Sequence, residues 1–274
     1  VPDSFDPQTL AAMAGALLVA GAMIGILAGL FGVGGGAISV PVFYEVFRLS
    51  NVPLDVAMPL AVGTSLAIIV PTSVVSARAH ARRGTVDMAL LRTWAVPVLV
   101  GVLTGSAIAR YADPALFQIV FVAVATTNAV KMLVGGNWRL RDTMPGRAVT
   151  AASGALIGLL SALMGIGGGA ISNLFLTLHG RSMREAVSTS AGVGVLIAVP
   201  GALGYMAAGW GKPGLPFDAI GYVSFLTLAV TLPTTLLTTR FGASLAHSLP
   251  KEVLTRLFGL FLLCVSARFI VALF

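Results

Sequence analysis

The sequence predicts an all-α polytopic membrane protein built from two inverted-topology repeats. Three observations carry the prediction. The 274 residues are 57% hydrophobic and only 10% charged, with a mean hydropathy of +0.96, far more apolar surface than one soluble core consumes. Ten apolar segments can be read along the chain, and two are too short to cross a bilayer. The octapeptide GVGGGAIS at Gly32–Ser39 returns as GIGGGAIS at Gly165–Ser172, at the head of each short segment.

In the first half the segments run at about Gln8–Leu30, Ala37–Leu49, Pro53–Ala77, Asp87–Arg110 and Pro114–Val134. The second half gives about Gly146–Met164, Ala170–His179, Glu185–Ala208, Asp218–Thr239 and Pro250–Phe274. Eight reach the roughly 20 residues that span the hydrocarbon core. The second and seventh follow glycine clusters and read as half-helices or re-entrant arms. Beyond the octapeptide, the halves match in order: Pro71 with Pro200 late in the third segment, Asp87 with Asp218 opening the fourth, Pro97 with Pro233 inside it, and Pro114 with Pro250 starting the fifth. The expected organisation is a first repeat at 1–134, a cytoplasmic linker at 135–146 and a second repeat at 147–274. Five segments per half is an odd number, so the second repeat enters from the opposite side, as in many secondary transporters.

Charge sets the sidedness. With the acidic N-terminus outside, all but Arg48, Arg110, Lys212 and Arg268 of the 17 basic residues fall on the cytoplasmic side, in keeping with the positive-inside rule. Both termini are then extracytoplasmic, and a bacterial inner membrane is the expected location. The net charge of +7 is thereby assigned to loops and not to nucleic-acid binding. VPDSFDPQTL at the start lacks a basic n-region, so no cleavable signal peptide is expected. A single cysteine, Cys264, permits no internal disulfide, and His80, His179 and His247 lack metal-ligand spacing. No cofactor or metal is expected. Neither a Ser/His pairing, an HExxH motif nor a pair of buried carboxylates is visible, so an intramembrane enzyme is disfavoured. Trp94, Trp138 and Trp210 read as interfacial anchors.

The glycine clusters explain how a site can form in hydrocarbon. Backbone there stays unpaired only where protein buries it or a polar cavity meets it. The run breaks the helix, and the short helix that follows directs its free N–H groups, carrying roughly half a positive charge, back at the break. Two inverted copies bring two such N-termini to the midplane without any buried Lys or Arg. The candidate binding residues are therefore Gly34, Gly35, Gly36, Ala37 and Ser39 with Gly167, Gly168, Gly169, Ala170 and Ser172. A pure packing role for the glycines is the alternative. No Lys follows the cluster, so it is not a nucleotide P-loop. Thr64, Ser65, Ser188, Thr189, Ser190 and Asn173 are further candidate donors, set against the packing and back-bonding that Ser and Thr commonly show in membrane helices. Glu45 and Asn128 are candidates for coupling, and Arg83 for attracting anions at the cytoplasmic mouth. Asp87 and Asp218 read as N-caps.

The pair GLFGVGGGAISVP and ALMGIGGGAISN, with HARRGTVD after the third segment, resembles the sulfite exporter family TauE/SafE. The resemblance covers nearly the whole chain. It implies a secondary carrier of a small sulfur-containing anion such as sulfite, thiosulfate or an organosulfonate such as sulfoacetate, with the lipid bilayer as its other partner. An anion channel, or a proton-coupled uptake permease for the same anions, is the alternative. The second half departs from the pattern: Gly201 stands where the first has Thr72, and no basic HARRG follows Tyr205.

Overall fold

A computed structural model describes residues 7–31, 35–82, 84–135, 140, 143–248 and 250–272. Among them are ten α-helices: α1 (Pro7–Phe31), α2 (Gly36–Leu49), α3 (Leu54–Arg82), α4 (Met88–Ala109), α5 (Pro114–Val134), α6 (Arg147–Met164), α7 (Gly169–Leu178), α8 (Met183–Ala208), α9 (Phe225–Ser248) and α10 (Lys251–Ala272). Six of these, α3, α4, α5, α6, α8 and α10, are long and apolar enough to cross a membrane. Large apolar side chains such as Val19, Val96, Val100, Leu237 and Val271 stay exposed on the outer faces of the bundle. In water such a belt invites aggregation, whereas lipid solvates it.

The helices pair in a regular pattern. α1 packs mainly on α9 and α6 on α4, while α3 lies along α8 and α5 along α10. The short α2 leans on α3, and the short α7 on α8. The first two contacts use the same device. In α1 the glycines Gly21 and Gly25 bring its backbone against α9, whose Thr235 and Thr238 hydroxyls donate to the carbonyls of Gly21 (3.1 Å) and Ala22 (3.2 Å). In α6 the glycines Gly154 and Gly158 face Trp94 and the Val98 carbonyl of α4. Small residues four apart let helix backbones approach closely in membranes. The sequence similarity thus begins well before the octapeptides, at GAMIG and GALIG.

Some expectations need correcting. Asp218 does not open the ninth helix, which begins at Phe225; a hairpin of β1 (Ala219–Ile220) and β2 (Val223–Ser224) intervenes. Asp218 still serves the helix start from below the hairpin, accepting from Leu226 N (2.9 Å) and from the Ser224 hydroxyl. Asp87 caps α4 as expected, accepting from Leu90 N (2.9 Å). Trp94 is no interfacial anchor. It is fully buried between α4 and α6, and its indole N–H donates to Thr150 O (2.7 Å). Trp210 is exposed, and Trp138 lies outside the described residues.

Candidate functional site

Each short helix starts the same way. Gly35 precedes α2 with φ 78°, and Gly168 precedes α7 with φ 72°. Both are left-handed, a conformation that costs a residue with a Cβ roughly 1–2 kcal/mol and glycine nothing. The helical ladder then begins with Ser39 N to Gly35 O and Ser172 N to Gly168 O, both 2.8 Å. N–H groups at a helix start have no acceptor within the helix, and neither cap supplies a side-chain one.

The two breaks touch. A Cβ on Gly36 would lie 2.8 Å from Ile166 Cα and 3.0 Å from Gly165 O. Ser65 seals the contact by donating to Gly165 O (2.7 Å). Its one proton is so committed that the 2.6 Å bond between Ser39 Oγ and Ser65 Oγ has Ser39 as donor. Ser172 donates to Gly168 O (2.6 Å). Both octapeptide serines are fully buried and hold the breaks in shape, and neither is among the residues lining the two cavities beside them.

Two cavities flank the junction. The larger, about 440 Å³, lies between α5, α7 and α10 and receives the first turn of both arms at Ala37 and Ala170. Asn128, Lys131, Asn173, Thr177 and Thr255 supply its polar groups, and none of the described residues that line it is a carboxylate. Lys131 Nζ donates to Thr177 Oγ1 (3.1 Å). The smaller, about 130 Å³, lies between α3, α7 and α8. Gly167, Gly169, Asn173 and Ser190 line it with Thr72, Ser73, Ser76 and His80. Asn173 borders both, and its Oδ1 is buried with no hydrogen-bond partner.

The structure therefore gathers Gly167, Gly169, Ala37, Ala170, Asn128, Asn173 and Ser190 around these two spaces. It sends others elsewhere. Thr64 accepts from Ser224 N (3.1 Å) and holds the hairpin. Ser188 meets His80 Nδ1 (3.1 Å). Thr189 accepts from Asp87 N (3.0 Å) at a third cavity of about 500 Å³, where Arg181 pairs with Asp87 at 2.8 Å. Glu45 bridges Arg48 on its own arm and Arg268 on α10, each at 2.8 Å. Gly34 and Arg83 lie outside the described residues. Lys131 and Thr177 were not legible as site residues. Lys131 follows Asn128 by three, which places the two on one helix face, yet a lysine in a last helical turn reads first as a loop-side charge.

Helices apolar enough to span, a lipid-suited belt and paired helix breaks beside cavities with polar groups are features of a polytopic membrane transporter. A sequence model described as sulfite exporter TauE/SafE matches residues 17–269. The chain belongs to that family. Among curated relatives, a probable membrane transporter protein of Haemophilus influenzae is 32% identical over 253 residues, covering 91% of this chain and 95% of the relative. Another, from Methanocaldococcus jannaschii, is 28% identical and covers 79% of this chain and 80% of its own length. A third, from Bacillus subtilis, is 24% identical, with coverage of 85% and 90%. No solved structure matches.

Proposed function

We propose that the protein is a secondary carrier that exports a small sulfur-containing anion, such as sulfite, thiosulfate or sulfoacetate, by alternating access. The carrying observation is the junction of the two arms: each starts at a left-handed glycine, Gly36 of the first break meets Gly165 and Ile166 of the second, and one cavity is lined by both first turns. Helix N-termini favour negative charge, and a cavity with no carboxylate among its described lining residues suits an anion.

The repeat reading gains support from the packing. Each first helix lies on the fourth helix of the other half, and the third and fifth helices pair with their own counterparts. A two-fold relation between inverted halves produces that pattern. Export needs no co-ion, because an inside-negative potential drives an anion outward by about 2.3 kcal/mol per charge per 100 mV. The uptake alternative loses its main candidate, since Glu45 spends its carboxylate on two guanidinium groups.

Thermal shift of the purified protein with sulfite, thiosulfate, sulfoacetate, sulfate and chloride tests the substrate class. At least one sulfur anion should raise Tm in a saturable way while chloride does not. Counterflow in proteoliposomes separates carrier from channel: internal unlabelled anion should accelerate uptake of the labelled one. Flux that ignores the internal anion identifies a channel.

Orientation has its own test. In a Cys264→Ala background, cysteine at Pro213 should react with an impermeant maleimide in intact cells. Cysteine at Thr143 should react only after lysis. Both positions are exposed. Labelling of position 143 from outside inverts the assignment.

A further inference from the structure

We infer that Lys131 is the counter-charge of the transported anion, with Asn173 and Thr177 as its side-chain companions in the 440 Å³ cavity. The inference rests on the anion-carrier reading above and goes beyond it by naming the cation and the side of the protein where the anion loads.

Counted from Pro114 and Pro250, Lys131 lies seventeen residues along the fifth helix and Arg268 eighteen along the tenth. Each reaches across to the outer end of an arm from the other half: Lys131 to Thr177 on α7, Arg268 to Glu45 on α2. Arg48 and Arg181 are a second matched pair, each twelve residues beyond Gly36 and Gly169. Arg48 pairs with Glu45 and Arg181 with Asp87. Three of these four cations have a carboxylate within 2.8 Å. Lys131 has a neutral hydroxyl instead, because Leu178 stands where the first arm has Glu45.

A half-buried ammonium facing a cavity with no carboxylate among its described lining residues is costly unless an anion joins it. Glu252, near the start of α10, is exposed and does not line the cavity. The cavity's other polar atoms suit the same guest. Asn173 has a buried Oδ1 with no partner. The amide's oxygen and nitrogen are interchangeable by a flip, so its NH₂ group can turn towards a sulfonate or sulfite oxygen. Thr177 already donates its own proton to Asn173 O (2.8 Å) and accepts from Lys131, so it aims the ammonium. The first turns of both arms add their field at Ala37 and Ala170. In the proposed orientation this cavity faces the cytoplasm. The charge that attracts the anion then sits at the loading side, while the matching cation outside is held by Glu45.

The test uses purified full-length protein and binding of sulfite, thiosulfate and sulfoacetate, each titrated separately. Lys131→Met should weaken the bound anion at least thirtyfold, and Lys131→Arg should keep it within about tenfold. Thr177→Asp should fold well, since it gives Lys131 the carboxylate that Arg268 has, and should also abolish binding. Arg268→Met should bind as the wild type does. If wild type binds an anion and both Lys131→Met and Thr177→Asp bind it equally, the inference is overturned while the carrier reading stands. Should Lys131→Met not fold, Thr177→Asp alone decides. If wild type binds none of the three, the carrier reading fails and this inference fails with it.

Discussion

Gly36→Ala is expected to abolish anion binding, with affinity lowered more than a hundredfold in protein that still reaches the membrane. The new methyl would stand 2.8 Å from Ile166 Cα and 3.0 Å from Gly165 O. Both are backbone atoms of the opposite break, so no side chain can swing aside to relieve them. Overpacking of this kind costs about 1–3 kcal/mol, and the relief available is to part the two arms. Parting moves Ala37 away from Ala170, and the cavity loses the convergence of its two helix starts. Gly168→Ala makes a useful comparison. Its methyl would strike Ile197 Cδ1 at 2.3 Å, a flexible tip, but the φ of +72° adds strain of its own. Equilibrium binding of the best anion from the thermal-shift panel measures both. Wild-type affinity in Gly36→Ala would return the junction to a packing role.

Gly25→Leu and Gly158→Leu should each destabilise the fold strongly. On Gly25 a Cβ falls 2.0 Å from Thr238 Oγ1 and 2.4 Å from Thr235 O, and on Gly158 it falls 2.4 Å from Val98 O. The carbonyls belong to neighbouring helices, so α1 must leave α9, or α6 must leave α4. A loss of about 3 kcal/mol corresponds to roughly 6–12 °C in Tm for a chain of this size. Yield and monodispersity in detergent should fall together with Tm. Gly15→Leu is the control, because a Cβ there meets nothing within 4 Å. If Gly25→Leu and Gly158→Leu match the control, α1–α9 and α6–α4 are not the close contacts described.

What could be read in advance depended on whether a residue acts through its neighbours in sequence or in space. The arms were legible to within a residue at their starts, Gly36 against Ala37 and Gly169 against Ala170, because a glycine cluster is a local signal. Their left-handed caps follow from the same run. Asp218 was misplaced because a two-residue hairpin leaves almost no periodicity to read. Trp94 looked like an anchor because indole suits an interface, yet Gly154 on another helix leaves a slot that it fills. Sequence alone presents Ser39 and Ser172 as donors facing an anion. Their hydroxyls are spent on Ser65 and Gly168, choices that only the folded chain reveals. Lys131 was hidden by its helix-end position. What distinguishes it from a loop-side charge is the cavity made with α7 and α10, which lie far along the chain from it.

The pairing of α1 with α9 has a consequence for synthesis. Phe225 follows Phe31 by 194 residues (225 − 31). At roughly 5–20 residues per second, α1 leaves the ribosome about 10–40 s before the helix that covers its glycine face exists. α6 meets a finished α4 at once, and α3 waits only for α8. Assembly on the ribosome is therefore ordered: the α4–α6 and α3–α8 contacts close first, and α1 docks when α9 arrives. Until then Gly21 and Gly25 keep a narrow, backbone-lined groove open to lipid. A chain stopped before Phe225 lacks α9 and α10, so its first helix is left with α2 to lean on and α5 is without its main partner.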